Sequence, residues 1–162
     1  MKKIILLIFI NVLSHSLMAQ GIDTTNQALD KIAIENTVEN FLTAAGNYDA
    51  GAISTLFMPK ANISGASLKN EKWNSYTMTI EEFITALKSN TNPKKYKEPV
   101  NNWIIHIDGG QLAFVRADAT LTREGKPQSH NIDYFTLIRE PGGWKILNGS
   151  YVSTPLPEKS KQ

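Results

Sequence analysis

The stretch Asn131-Ile-Asp-Tyr-Phe-Thr-Leu-Ile-Arg139, followed by Glu140-Pro-Gly-Gly143 and Trp144-Lys-Ile-Leu-Asn148, decides the fold class. Two runs rich in β-branched and aromatic residues flank a Pro-Gly-Gly interruption, which is how a hairpin reads in sequence. A second such pair lies just upstream. It consists of Trp103-Ile-Ile-His-Ile107 and Gln111-Leu-Ala-Phe-Val-Arg-Ala-Asp-Ala-Thr-Leu121, split by Asp108-Gly-Gly. The C-terminal part of the chain is therefore read as a meander of long antiparallel strands.

The part before it is helical. From Ala28 to Ala45, the residues Ile34, Val38, Phe41, Leu42 and Ala45 form one apolar stripe at helical spacing. Gly46-Asn47 closes that helix. Asp49 is placed to cap a short second helix carrying Ile53, Leu56 and Phe57, which ends at Pro59. Ala61 to Ser64 reads as a short strand, and Gly65 to Ser75 as a polar loop. Thr79-Ile-Glu-Glu82 has capping-box form and opens a third helix through about Ser89, with Phe83, Ile84 and Leu87 apolar. Asn90 to Pro99 is a breaker-rich link. The order predicts an α+β fold, with about three N-terminal helices gathered on one face of a curved antiparallel sheet. Such a sheet curls around its helices and leaves a pocket between the layers.

Both ends are set apart from this domain. Met1-Lys-Lys, the apolar run Ile4 to Leu13 and the small, mixed Ser14 to Ala19 have the three-part form of a secretory signal peptide. The run is shorter than the roughly 20 apolar residues of a membrane span. The sequence thus predicts a leader over 1–19, a flexible lead over 20–27, a domain over 28–152 and a disordered tail over 153–162. Its expected address is periplasmic or extracellular, with no membrane attachment after cleavage.

Loss of the leader removes Lys2 and Lys3. The mature balance is then 17 − 2 = 15 basic against 15 acidic residues, a formal charge of zero. That argues against nucleic acid as a partner. The basic cluster Lys94, Lys95 and Lys97 sits between Pro93 and Pro99 and reads as a solvated loop. With no Cys in the chain, disulfides and thiolate chemistry are excluded, and about 140 mature residues must fold on their apolar core alone. Three scattered His residues have no metal-ligand spacing, and neither a phosphate loop nor a serine elbow is present. No metal or cofactor is expected.

Several segments resemble a known family. The helix followed by Asn47-Tyr-Asp-Ala-Gly-Ala-Ile-Ser-Thr-Leu-Phe57 and Pro59, the run Thr79-Ile-Glu-Glu-Phe83, and the strands Asp133-Tyr-Phe-Thr-Leu137 and Gly143-Trp-Lys-Ile146 look like the nuclear transport factor 2-like superfamily. Its SnoaL-like and putative lumazine-binding branch is the most similar. The resemblance spans roughly Ala28 to Tyr151 and implies a cone-shaped fold. It does not imply one reaction, because the superfamily holds isomerases, dehydratases, epoxide hydrolases and cyclases beside non-enzymatic binding modules. It also implies pairing of two copies through the sheet.

A two-residue turn at Gly109-Gly110 would put Trp103, Ile105, Ile107, Leu112, Phe114, Arg116 and Asp118 on one face of the first hairpin. Ile104, His106, Ala113, Val115, Ala117 and Ala119 would share the other. Both faces are largely apolar, so both need cover, and a second subunit is the simplest cover for the face away from the helices. The small residues Ala113, Ala117 and Ala119 favour the His106 face as the pocket wall.

The candidate site residues follow from this register and from the resemblance. His106 with Asp133 would make an oriented acid–base pair, with Tyr76 or Tyr48 polarising a substrate. Tyr48, Trp73 and Tyr76 are aromatics for a pocket mouth, able to stack on a flat ligand or to plug the core. Arg116 and Asp118 resemble part of the epoxide-hydrolase set, or are an ordinary surface or interface ion pair. The second acid of that set would fall near Asn148, and an Asn cannot accept the proton. The reading is an exported small-molecule-binding domain. A small lyase, isomerase or hydrolase is the alternative, and a protein-association module the second.

Overall fold

The computed structural model describes residues 23–156, with side chains from Asn26 onward. Helix α1 (Asp23–Asn47) and helix α2 (Ala50–Leu56) lead into a hairpin of strands β1 (Phe57–Lys69) and β2 (Lys72–Thr79). Helix α3 (Ile80–Ser89) follows, and then the meander of β3 (Val100–Asp108), β4 (Leu112–Arg123), β5 (Lys126–Glu140) and β6 (Gly143–Pro155).

The helical caps form as their residue types dictate. The Asp49 carboxylate accepts from the Ala52 amide at 2.9 Å and starts α2. Thr79 and Glu82 close a reciprocal capping box at the start of α3. The α1 stripe Ile34, Val38, Phe41, Leu42 and Ala45 is buried. Phe41 is its centre, meeting Phe57 edge-on at 5.0 Å, Phe135 at 5.8 Å and Phe83 at 6.4 Å. This ring cluster, with Ile53, Leu137 and Ile146, joins all three helices to the sheet.

The sheet has the order β2-β1-β6-β5-β4-β3. Every neighbouring pair is antiparallel except β1 and β6, which run parallel. The fold is thus α+β, with three helices on an open, curved, mixed sheet.

Several sequence expectations change. Residues 65–75 are not a loop: β1 continues to Lys69, and Asn70 and Glu71, both at positive φ, make the tight turn into β2. Polar residues along one edge of a hairpin imitate a loop when only one side is covered. Helix α1 starts at Asp23, inside the stretch read as a flexible lead. Strand β6 runs to Pro155, into the stretch read as a disordered tail, because Thr154 and Pro155 pair with His130 and Ser129. The leader over 1–19 lies outside the described residues.

The largest correction concerns register. Asp108 pairs with Leu112, so the turn between β3 and β4 holds three residues, Gly109 to Gln111. The Gln111 amide donates to the Asp108 carbonyl at 3.0 Å within it. One residue more than expected moves every partner by one, and the side-chain period of two then reverses the facing of one strand against the other. Trp103, Ile105 and Ile107 thereby share the helix-facing side with Ala113, Val115 and Ala117. Ile104 and His106 fall on the opposite side, with Phe114 and Arg116.

Candidate functional site

Three rows of side chains cross the helix-facing side of the sheet, one residue per strand. Met78, Ile63, Gly149, Phe135, Val115 and Ile105 form the apolar row. Next come Tyr76, Gly65, Tyr151, Asp133, Ala117 and Trp103. Then come Asn74, Ser67, Ser153, Asn131, Ala119 and Val100. Polarity therefore rises along the cone. The smallest residues, Gly149, Gly65 and Ala117, leave open volume beside the large ones.

That volume is a cavity of about 280 Å³ that opens to solvent. Phe41, Phe83 and Phe135 supply the apolar wall, and Tyr76, Tyr96, Tyr151, Glu98, Asn131 and Asp133 the polar one. Gly65 is required by the tyrosines. A Cβ there would lie 2.5 Å from Tyr151 Cε1 and 2.7 Å from Tyr76 Cε1. With no Cβ in the way, the two phenol rings meet at 6.1 Å and their hydroxyls at 3.4 Å.

The link before β3 closes one side of this space. The Tyr96 amide donates to the Gly46 carbonyl at 3.1 Å, and a Cβ on Gly46 would lie 2.3 Å from the Tyr96 carbonyl oxygen. Glycine at the end of α1 thus permits the close approach that brings Tyr96 and Glu98 to the cavity. Arg123 lies over the Tyr96 ring at 5.9 Å.

The electrostatics are those of acids removed from water. Asp133 is 5% exposed and its Oδ2 has no hydrogen-bond partner. Burial, then the charges of Glu98 and Asp118, push its carboxyl up to about 8. Burial also raises Glu98, opposed by the hydrogen bond it accepts from the Asn131 amide. The Tyr76 and Tyr96 hydroxyls are pushed further above the usual phenol range, chiefly by burial. Near neutral pH burial therefore favours the protonated form of Asp133 and the neutral forms of Tyr76 and Tyr96.

The residues expected from sequence divide in two. Tyr76 and Asp133 line the cavity. Tyr48 does not; it packs edge-on against Tyr96 at 6.5 Å, and its hydroxyl donates to the Lys94 carbonyl at 3.4 Å. Trp73 is 56% exposed on β2 and outside the lining. His106 is on the outer face with its side chain 71% exposed, and its Nε2 pairs with Asp108 at 2.9 Å. The proposed His106–Asp133 pair does not form, because the two residues lie on opposite faces of the sheet.

Arg116 and Asp118 are paired at 2.8 Å, also on the outer face, where the Arg116 hydrogen bond holds the Asp118 carboxyl low. Asn148 lies there too, in a shallow groove with His106, Phe114, Arg116 and Tyr134. Sequence reasoning missed Tyr96, Glu98, Asn131 and Tyr151. Asn131 shares parity with Asp133 and was available in principle. Nothing local marks Glu98, which arrives through the link.

Comparison with known proteins agrees with this architecture. Residues 29–152 match the family model described as putative lumazine-binding. No curated protein matches the chain. Among solved structures, a nuclear transport factor 2-like protein from Shewanella baltica is 18% identical, with 80% of this chain and 97% of that one covered and a TM-score of 0.58. A nuclear transport factor 2-like protein with a cystatin-like fold from Novosphingobium aromaticivorans is 14% identical over 86% and 95% of the two chains, at a TM-score of 0.63. A putative scytalone dehydratase from the same organism is 14% identical over 86% and 93%, at 0.64. Identities this low carry the fold alone. With a family model spanning the domain, the chain belongs to the putative lumazine-binding family, and its fold is that of the nuclear transport factor 2-like structures.

Proposed function

We propose that this protein is a binding domain for a small, flat, largely apolar molecule, held in the cone cavity between α1, α3 and the sheet. One observation carries the proposal: Asp133 lines an open cavity, and one of its carboxyl oxygens, Oδ2, is buried without a partner. Buried polar groups in native proteins are almost always satisfied, and an occupant would satisfy this one. Aromatic walls with a few convergent polar groups are what such ligand sites share. The leader pattern over Met1–Ala19 supports export, so the ligand would be met in the periplasm or outside the cell.

The test is a thermal-shift screen of small aromatic compounds on the purified protein and on Ser67→Trp, which fills the polar row of the cavity. Compounds that stabilise the parent and not the variant are the expected result. Stabilisation equal in both, or by no compound, would rule the cavity out as the site.

One observation favours an enzyme of lyase or isomerase type as the second reading. A carboxyl that stays protonated to about pH 8 is a ready proton donor. Similar structures bearing dehydratase names lend it the same support. Any such chemistry would run on Asp133, Glu98 and the tyrosines, without His106.

The outer face of the sheet is proposed to pair with a second copy of this chain. Ile104, Phe114, Tyr134 and Val152 leave apolar surface exposed there. On that face Arg116 pairs with Asp118 and His106 with Asp108. Pairing of these side chains within each copy lowers the charge cost of bringing two such faces together.

A further inference from the structure

From Gln20 onward the chain has as many basic as acidic residues, but the fold sorts them by position. The sheet order sets the β1–β2 and β4–β5 hairpins on either side of β6, and both hairpin tips lie at the end where β6 finishes. Ser67 near one tip pairs with Ser153, and Ser129 near the other pairs with Pro155. The link before β3 reaches the same end, because Lys97 and Thr122 exchange two backbone hydrogen bonds at 2.8 and 2.9 Å. Each of these three segments brings exposed cations. The β1–β2 tip has Lys69 and Lys72, the link has Lys94, Lys95 and Lys97, and the β4–β5 tip has Arg123 and Lys126. Three acids accompany these seven: Glu71, Glu124 and the half-buried Glu98. In the rest of the described residues the balance reverses, with six basic against eleven acidic. Among the described residues, none of the seven cations forms a salt bridge. Apolar surface stands with them. Trp73, 56% exposed, sits opposite Leu68 on the β1–β2 tip. Leu156, 37% exposed, follows β6 and donates its amide to the Gln128 carbonyl at 3.3 Å.

We infer that this end of the cone docks on the surface of an anionic phospholipid bilayer, with Trp73 in the headgroup layer and the three basic segments on the lipid phosphates. The inference does not rest on the cavity holding a ligand.

Charge and apolar surface select the partner together. A Lys or Arg held near an anionic bilayer strengthens binding roughly fivefold. Each segment alone carries too little charge to hold the protein there, but the fold brings three to one end. Tryptophan prefers the boundary between headgroups and acyl chains, where its ring meets apolar surroundings and its N–H stays wet. A nucleic acid would use the lysines and stack on Trp73, but it offers the leucines nothing apolar to enter. A bilayer uses all of them. The association is peripheral and reversible, and needs no spanning segment. The residues alone predict no membrane attachment, since these charges segregate only once the tips meet. Arg123 belongs both to the basic end and to the cavity lining, so the docked end borders the cavity.

The purified protein is titrated with vesicles of equal parts phosphatidylcholine and phosphatidylglycerol, with vesicles of phosphatidylcholine alone, and with a single-stranded oligonucleotide. Binding is read by cosedimentation and by tryptophan emission. The mixed vesicles should bind at least about tenfold more tightly than the neutral ones, and added salt should weaken that binding. Emission should move to the blue on binding. Trp73→Ser should abolish the move, because Trp73 is the exposed one of the three tryptophans. Lys72→Glu and Lys126→Glu, on separate tips and outside the cavity lining, should each lower affinity about tenfold. Lys31→Glu makes the same charge change on α1 beside Asp30, which pairs with Arg139 at the far end of the sheet. It should leave affinity within about twofold. All four positions are exposed, so the variants keep the fold.

No binding to the mixed vesicles, equal binding to the neutral ones, or an equal loss in Lys31→Glu would overturn the inference. Tighter binding to the oligonucleotide would overturn it in favour of a nucleic-acid site. Vesicle binding that leaves tryptophan emission unmoved would overturn it as well.

Discussion

Tyr151 stands directly opposite Asp133 across the β5–β6 pair, with both side chains on the helix-facing side of the sheet. Residues so opposed have Cβ atoms about 4.5–5.5 Å apart. A phenol and a carboxylic acid are therefore neighbours at the cavity wall. Tyr76 extends the row from the other side of Gly65. Most of what the site can do follows from this row.

Stability should depend on pH through Asp133. Its carboxyl is raised in the folded state from 3.8 to about 8. The unfolded chain therefore releases this proton at lower pH than the native one. Its contribution is fully present below about pH 4 and is lost as pH rises toward 8, by roughly 1.4 kcal/mol per unit at most. Chemical denaturation at intervals from pH 5 to pH 8 should show falling stability. Asp133→Asn should flatten that slope and become the more stable protein near pH 8. Glu98, also raised by burial, adds a slope of the same sign.

Two glycine substitutions should differ in kind. In Gly65→Ala the atoms nearest the new methyl are ring atoms of Tyr76 and Tyr151, which can swing. The fold should survive with a cost of about 1–3 kcal/mol, and the tyrosine pair should separate. In Gly46→Ala the methyl meets the Tyr96 backbone carbonyl. The link must then move, taking Tyr96 and Glu98 with it, and the loss of stability should be the larger of the two. Urea denaturation of both variants, with tyrosine fluorescence for the first, checks the order.

Replacing His106 by Ala should leave ligand binding and its pH dependence unchanged, since that ring faces solvent across the sheet from Asp133. A tenfold change in affinity would show that the outer groove, and not the cone, holds the ligand.

Phe114→Glu should give a monomer by sedimentation equilibrium where the parent protein is a dimer, with little change in melting temperature at low concentration. Phe114 is 46% exposed on the outer face, so the new carboxylate meets solvent in the monomer and like charge in the pair. A parent protein that sediments as a monomer at high concentration would end the pairing proposal.

Much of the fold was legible in the residues themselves. The α1 stripe, the Asp49 and Thr79 caps and the long strand runs each depend on neighbours within a few positions. Local chemistry decides them, and the structure repeats them. Facing was different, because a strand's facing is set by a count of residues at a turn or bulge. The β3–β4 turn holds three residues where two glycines suggested two, and His106 left the interior.

The second case is the bulge at Leu147. From the two-residue turn at Pro141-Gly142, Leu137 pairs with Ile146, but Thr136 pairs with Asn148. One extra residue on β6 turns Asn148 outward and brings Gly149, Tyr151 and Ser153 inward. Glu98 and Tyr96 are a third case, since only the packing of the link over Gly46 brings them to Asp133's cavity. Sequence alone thus determined the helices, the long C-terminal strands and which residues are apolar, because propensity and period act locally. Tertiary structure decided which polar groups meet, because single-residue shifts of register and long-range packing act on whole strands at once.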